Sequence, residues 1–336
     1  MSTPSQIECV INAEGAPTFG YYDAIPQSLG VDHFDYRDGM DKRASRFAKY
    51  FHYKQFQFVS VFTDRYVIGV ALADIRYLVS GFCYVYDKHN DTLVEQNWLR
   101  PFSITSHMSA SSFDGTSSIA GGAIRFDIHQ GVWRVGVNAP QVQCDILIKP
   151  PTTHQPLALC TPTGYSGWTY TQKHNALAVG GQLRIQGKEV DLSQARAGYD
   201  FSAGYMRRET SWRWASISAT CDAVSLGLNL AAGVNETGGS ENTLWIDGRR
   251  HLLSPVHFHY KRDERHQPWR ITSQDGRIDL TFVPLNLRSE KLNLGVLKSN
   301  FRQFIGHFSG EITDSDGITH HLDHVVGLTE DHFAKW

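Results

Sequence analysis

From Lys54 onward the chain runs in short aromatic and β-branched segments closed by Asp, Gly or charged pairs: KQFQFVSVFTD, YVIGVALADI and YLVSGFCYVYD. Such segments predict strands, and three in succession predict an antiparallel meander. Further strands are expected at Ala123 to Ile128, Val132 to Val137 and Val142 to Ile148. In the last, Val142, Cys144, Ile146 and Ile148 alternate with Gln143, Asp145 and Leu147, as in a strand with one buried face. The same grammar resumes at SWRWASISA, AVSLGLNLAAG, NTLWIDG, SPVHFHY, PWRITSQDG, RIDLTFVPL, RQFIGHFSG, EITDSDG and ITHHL. The punctuation IQGK, IDGR, SQDGR and DSDG sets a Gly, mostly after Asp, between β-prone runs, where hairpins need positive φ.

Little of the chain reads as helix. DKRASRFAKYF allows one or two turns with Phe47, Tyr50 and Phe51 on one face, and Tyr21 to Arg37 has no period and reads as a loop wrapping a sheet. Pro150, Pro151 and Pro156 interrupt the strand pattern as a bend or corner, without the Gly/Ser composition of a flexible linker. Many short strands with hairpin turns predict an all-β fold of barrel or sandwich type. A barrel of about eight strands can hold one small ligand.

With 336 residues the chain can bury a sizeable core. The 32 basic and 34 acidic residues leave a net charge of -2, which gives no electrostatic reason to expect nucleic acid or an anionic membrane as partner. No apolar run is long enough to span a bilayer, and MSTPSQIECVINAEGAP lacks the basic start and apolar core of a leader, so a cytoplasmic protein without an integral membrane segment is expected. Five scattered cysteines without a CxxC pair indicate neither a disulfide framework nor a thiolate zinc site. GxGxxG opening a helix, GxxxxGK[ST], HExxH and GxSxG are all missing, which disfavours nucleotide-driven, zincin and α/β-hydrolase chemistry.

The stretch Thr169 to Trp214 concentrates candidate chemistry. Trp212 and Trp214, two residues apart in a strand, point to one side. Beside such rings a carboxyl at Asp200 is a candidate proton donor whose cationic product the rings stabilise. The plainer alternative makes the tryptophans core packing and Asp200 a turn residue. The loop Gly233 to Ile246 is read as mobile, bringing Glu241 and Asn242 to a cavity mouth, or else as a simple polar hairpin. His257 and His259 share a strand face, but no third ligand at a known spacing accompanies them, so no metal and no cofactor are expected.

The order Asp200, Gly204, Trp212-x-Trp214, GLNLAAG, GGSENTLWIDG, VHF, PWRI, Asp275-Gly276, IDLTFVP, Phe308 to Gly310 and GLTEDHFAKW resembles a bacterial family known as domain of unknown function 2804. GYYDAIPQSLGVDHFDYRD and KQFQFVSVFTDRYVIGVALADI resemble its N-terminal part. That family is more distantly similar to the tandem lipocalin-like proteins typified by carotenoid 1,2-hydratase, AttH-type proteins and fungal Diels–Alderases. YTQKHNALAVGGQLRIQGKEV and AGYDFSAG sit where that group closes its first barrel, and WRW where it begins the second. Of the group's usual acidic and imidazole set only Asp200 is retained.

The resemblance implies two antiparallel lipocalin-like (calycin) β-barrels in tandem, residues 1–205 and 206–336, with the ligand space in a barrel mouth or between the barrels. The domain change then falls near residue 205, and the proline cluster joins two strands of one barrel. The expected partner is a hydrophobic, lipid- or isoprenoid-like and unsaturated small molecule in an aromatic-lined cavity. Chemistry there would be cofactor-free, acid-assisted hydration, isomerisation or cyclisation. Asp200, Glu241 and Glu330 are the candidate catalytic groups; Trp212, Trp214, Asn242, Tyr170, His174 and Trp245 are the candidate ligand-binding ones. The alternatives are a non-catalytic carrier of an apolar ligand and a glycan-active or glycan-binding protein, the last requiring an open groove lined by two carboxyls.

Overall fold

The structure, a computed structural model, describes residues 8–234 and 238–336. Residues 1–7, from the N-terminal segment read for a leader, and 235–237, part of the loop expected to be mobile, lie outside the described residues. The chain divides into two compact units, Met1–Arg207 and Arg208–Trp336.

The first unit contains β1 (Gly20–Tyr21), α1 (Arg46–His52), β2 (Lys54–Phe62), β3 (Tyr66–Asp74), β4 (Leu78–Asp87), β5 (Thr92–Pro101), β6 (Gly115–Ile119), β7 (Ile124–His129), β8 (Val132–Asn138), β9 (Val142–Ile148), β10 (Leu157–Thr163), β11 (Gly167–Ile185), β12 (Lys188–Glu189) and β13 (Arg196–Gly204). Helix α1 begins where the Ala48 N–H donates to Ser45 Oγ at 3.1 Å. Its expected apolar face is not core, because Phe47 and Tyr50 stay exposed.

The main sheet runs β5-β4-β3-β2-β13-β11-β9-β8-β7-β6, and β10 pairs with β1 and β11. Strand β11 is long enough to serve two sets of partners: Gly167–Lys173 pairs with β10, the stretch to Ala178 with β13, and Val179–Ile185 with β9. The change comes at a register shift between His174 and Leu177, where Ala176 has φ 58°. Because β9 and β10 both pair with β11, the Pro150–Pro156 segment between them is a corner inside one unit. The sheet curls: Gly81 on β4 lies so near β6 that a Cβ there would come within 3.0 Å of Leu72 Cδ2 and 3.1 Å of Ile119 Cγ2.

The second unit contains β14 (Glu209–Cys221), β15 (Val224–Ala232), β16 (Thr243–Ile246), β17 (Arg249–Leu252), β18 (Val256–His259), β19 (Trp269–Ser273), β20 (Ile278–Leu294), β21 (Leu297–Thr313) and β22 (Thr319–Lys335). They form one antiparallel sheet in the order β17-β16-β15-β14-β22-β21-β20-β19-β18, curled until edge strand β18 comes back against β15. Its concave side packs Ile217, Leu228, Leu244, Ile271, Leu280, Phe304 and Phe308 into a core. Hairpin punctuation appears as expected, with Asp247 at φ 49° and Gly248 at φ 79° in IDGR. Strands β20 to β22, at 17 residues each, are far longer than the short strands the pattern predicts. Pro284 sits at a β-bulge where the register shifts before Asn286, and β20 continues past the end of the expected run RIDLTFVPL.

Candidate functional site

Residues directly opposite in an antiparallel pair share a face. Trp214 stands opposite Glu330 and Trp212 opposite His332, while Gln303 and Phe301 stand opposite the same two residues from the other side. On β15 and β16, Asn229 lies opposite both Ser216 and Thr243, and Trp245 lies opposite Gly227. One face of the second sheet therefore carries Trp212, Trp214, Trp245, Asn229, Gln303 and Glu330, with Phe301 and His332. The apolar core occupies the other face.

Several polar side chains on this face are buried. Glu330 is 7% exposed. Its Oε1 accepts the Trp212 indole N–H at 2.7 Å and its Oε2 accepts the Gln303 amide at 3.2 Å. The His332 ring lies 4.2 Å from the Trp212 ring and 5.0 Å, perpendicular, from Phe301. His332 Nε2 meets Ser299 Oγ at 2.9 Å, and its Nδ1 sits 3.7 Å from Glu330 Oε1, beyond hydrogen-bond distance. His332 Nδ1 and Gln303 Oε1 are buried with no hydrogen-bond partner. Buried polar atoms are normally paired, so two orphans flanking one carboxyl mark a place where a polar group is awaited.

Trp214 donates to Asn229 Oδ1 at 2.7 Å, and Asn229 donates in turn to the Glu241 carbonyl at 2.8 Å. Asn242 does not stand at a cavity mouth. It is 1% exposed, accepts the Ala231 N–H at 2.7 Å and donates to the Ser254 carbonyl at 2.9 Å, so its amide ties strand ends together. Glu241 is 3% exposed. These carboxyls do not line an open groove.

Asp200 belongs to the first unit. Across β11 and β13 it stands opposite Lys173, whose Nζ is 2.7 Å from Asp200 Oδ2, and Ser202 Oγ donates to Oδ1 at 3.0 Å. The Asp200 carboxylate is thus held in a buried ion pair. Tyr170 and His174 are on the other face of β11 from Lys173, so these two first-unit candidates do not share a face with Asp200. Tyr170 instead donates to Gln172 Oε1 at 3.1 Å, and the Gln172 amide donates to the Tyr199 hydroxyl at 3.1 Å. Burial raises both phenols well above their ordinary value, so this network stays neutral.

His257 and His259 have ring centroids 6.3 Å apart on an exposed strand. Among the described residues one group, His251, Asp314 and Asp316, has ligand-type atoms within 4.8 Å of one another. Its members are already engaged: His251 with Ser315 at 2.8 Å, Asp314 with His320 at 2.9 Å, and Asp316 with Arg249.

Residues 30–336 match the family described as Domain of unknown function (DUF2804). The chain belongs to this family. Among solved structures, the DUF2804 fold is similar to that of an AttH-like protein from Nitrosomonas europaea, with 12% identity over 84% of this chain and 92% of that one and a TM-score of 0.51. Kievitone hydratase from Nectria haematococca aligns over 100% of this chain and 98% of its own at 12% identity, with a TM-score of 0.49. At these identities the first likeness speaks to the fold alone, two lipocalin-like curled sheets in tandem, and the second carries no argument. No curated protein matches. Among the described residues no helix is long and apolar enough to cross a membrane.

Sequence reasoning missed Lys173, Gln303 and His332. Their signal was present: QKH in β11, FRQF in β21 and TEDHF in β22 place polar side chains inside long strands flanked by apolar residues, where burial makes them costly unless paired.

Proposed function

We propose that the DUF2804 chain binds an apolar, unsaturated small molecule against the Trp212, Trp214 and Trp245 face and, with Glu330 as acid, catalyses its cofactor-free hydration. The observation that carries this reading is the buried Glu330 carboxyl between the Trp212 N–H and the Gln303 amide, flanked by the unpartnered Nδ1 of His332. The Glu330 proton passes to one alkene carbon, and the cation left on the other lies against indole faces, which attract positive charge. A water oxygen bonds to that carbon, and its surplus proton goes to His332 Nδ1 and back to Glu330, so the net change is addition of one water. Asp200, held by Lys173, then supports the fold of its own unit and is not the donor.

The test is extraction and mass spectrometry of small molecules that co-purify with wild type and with Glu330→Gln. The expected result is an unsaturated compound enriched in the variant, converted by added wild-type protein to a product heavier by one water. If both proteins carry the same compound and neither changes it, the chain is a carrier, and the catalytic reading falls.

A further inference from the structure

The opposite, concave face of the second sheet ends in a cluster of charge. Asp331 stands opposite both Arg213 and Arg302, and Arg262 reaches it from beyond β18. The Asp331 carboxylate accepts Arg262 Nε and Nη2, each at 3.0 Å, and Arg302 Nη1 at 2.8 Å, with Arg213 Nε at 3.8 Å. Arg213 Nε also approaches the Tyr260 hydroxyl at 3.4 Å, and the Tyr260 ring lies flat on Trp269, centroids 3.9 Å apart at 10°. Below Trp269 the core begins with Phe304, 5.2 Å away.

Charge and hydrogen bonding are both unbalanced here. Asp331 is the one acidic partner, among the described residues, of three guanidinium groups, which leaves a local excess of two positive charges. Burial raises the Asp331 carboxyl, but hydrogen bonds from Arg262 and Tyr260 and the charges of Arg262 and Arg213 outweigh this and hold it below the ordinary carboxylate value. It stays ionised and cannot alone neutralise the cluster. On the same face Arg302 Nε, Thr329 Oγ1 and Asn300 Oδ1 are buried without a hydrogen-bond partner. A guanidinium carries five donors in a planar fork, and burying donors unpaired costs free energy. Access exists, since the Arg262 and Arg213 side chains are 53% and 32% exposed.

We propose that this end of the second barrel is a binding site for an aromatic or unsaturated carboxylate, its carboxylate taken by Arg213, Arg262 and Arg302 and its apolar part laid along Tyr260. Asp331 holds the three guanidinium groups near one another against their mutual repulsion. A carboxylate suits the guanidinium N–H groups that a single Asp331 carboxylate cannot all satisfy, and the stacked Tyr260–Trp269 pair suits a flat ligand. The site is separate from the Glu330 face, and its test needs no turnover.

Calorimetric titration with cinnamate, cinnamyl alcohol and inorganic phosphate decides it. Cinnamate is expected to bind saturably and more weakly at high salt, the alcohol and phosphate much less, and Arg262→Gln to weaken cinnamate about tenfold. Arg262 is exposed, so that variant should fold; an unchanged far-ultraviolet circular dichroism spectrum checks it, and Arg249→Gln, at an exposed pair with Asp316 beside the β21–β22 turn, is the control that should bind like wild type. Equal binding of acid and alcohol, phosphate binding as tight as cinnamate, an unaffected Arg262→Gln, or no binding would each overturn the proposal.

Discussion

Trp212 on β14 donates its indole N–H to Glu330 on β22 at 2.7 Å, a bond between the strand that opens the second unit and the strand that closes it. Trp212→Phe keeps an aromatic ring but removes the donor. With Glu330 7% exposed, the carboxyl then loses a partner it cannot easily replace with water. A loss of about 1–3 kcal/mol in stability is expected from urea denaturation, together with weaker retention of any co-purifying compound. Retention at wild-type level would remove Trp212 from the ligand face.

Lys173 and Asp200 form a buried pair, their side chains 7% and 13% exposed. Breaking a buried pair from one side strands the other charge, so Lys173→Met should cost about 3–5 kcal/mol. The double variant Lys173→Met with Asp200→Asn should recover most of that, because no uncompensated charge remains. Urea melts of both give the answer. Turnover per folded molecule should survive in the double variant; its abolition would return Asp200 to the chemistry.

Asp314, 3% exposed in the turn between β21 and β22, is held at a pKa of about 2. Burial raises it, but hydrogen bonds from His320 and from the Ile318 and Asp316 backbone N–H groups, with the charge of His251, pull it down. A folded value below the unfolded one, about 3.9, means that the unfolded chain binds the proton more readily as pH falls. The stabilisation is therefore complete above about pH 4 and is lost on descending towards pH 2. Asp314→Asn should flatten the dependence of melting temperature on pH across that window; an unchanged slope would assign the acid sensitivity to other carboxylates.

Much of the fold was legible because strand periodicity and Gly-containing turns are local signals. The meander β2–β4, the Asp247-Gly248 hairpin and the shared face of Trp212 and Trp214 all follow from spacing alone. Strand length was not legible, since the run RIDLTFVPL breaks off just past Pro284, while the bulge there lets β20 continue to Leu294. The partnerships of the site were hidden for a different reason. Lys173 and Asp200 are 27 residues apart, and Trp212 and Glu330 are separated by 118, so only strand register brings them together. Asp200 looked like an isolated acid beside a Trp pair because its neutralising lysine lies on another strand. Tyr170 and His174 were grouped with it by proximity in sequence, although strand alternation puts them on the opposite face from Lys173.

Asn242 offers the sharpest contrast between a ligand-binding and a structural role. Its side-chain oxygen takes the Ala231 N–H and its nitrogen gives to the Ser254 carbonyl, so one amide links the end of β15 to the segment ahead of β18. Asn242→Ala would leave a backbone donor and a backbone acceptor without partners in a region closed to water. A stability loss of about 1–3 kcal/mol is expected, with unchanged affinity for whatever compound the folded fraction retains. Asn242→Asp should recover the bond to Ala231 but not the one to Ser254, and so fall between wild type and Asn242→Ala in urea melts. A weakened affinity at wild-type stability would instead place Asn242 against the ligand and reopen the Glu241–Asn242 segment as part of the site.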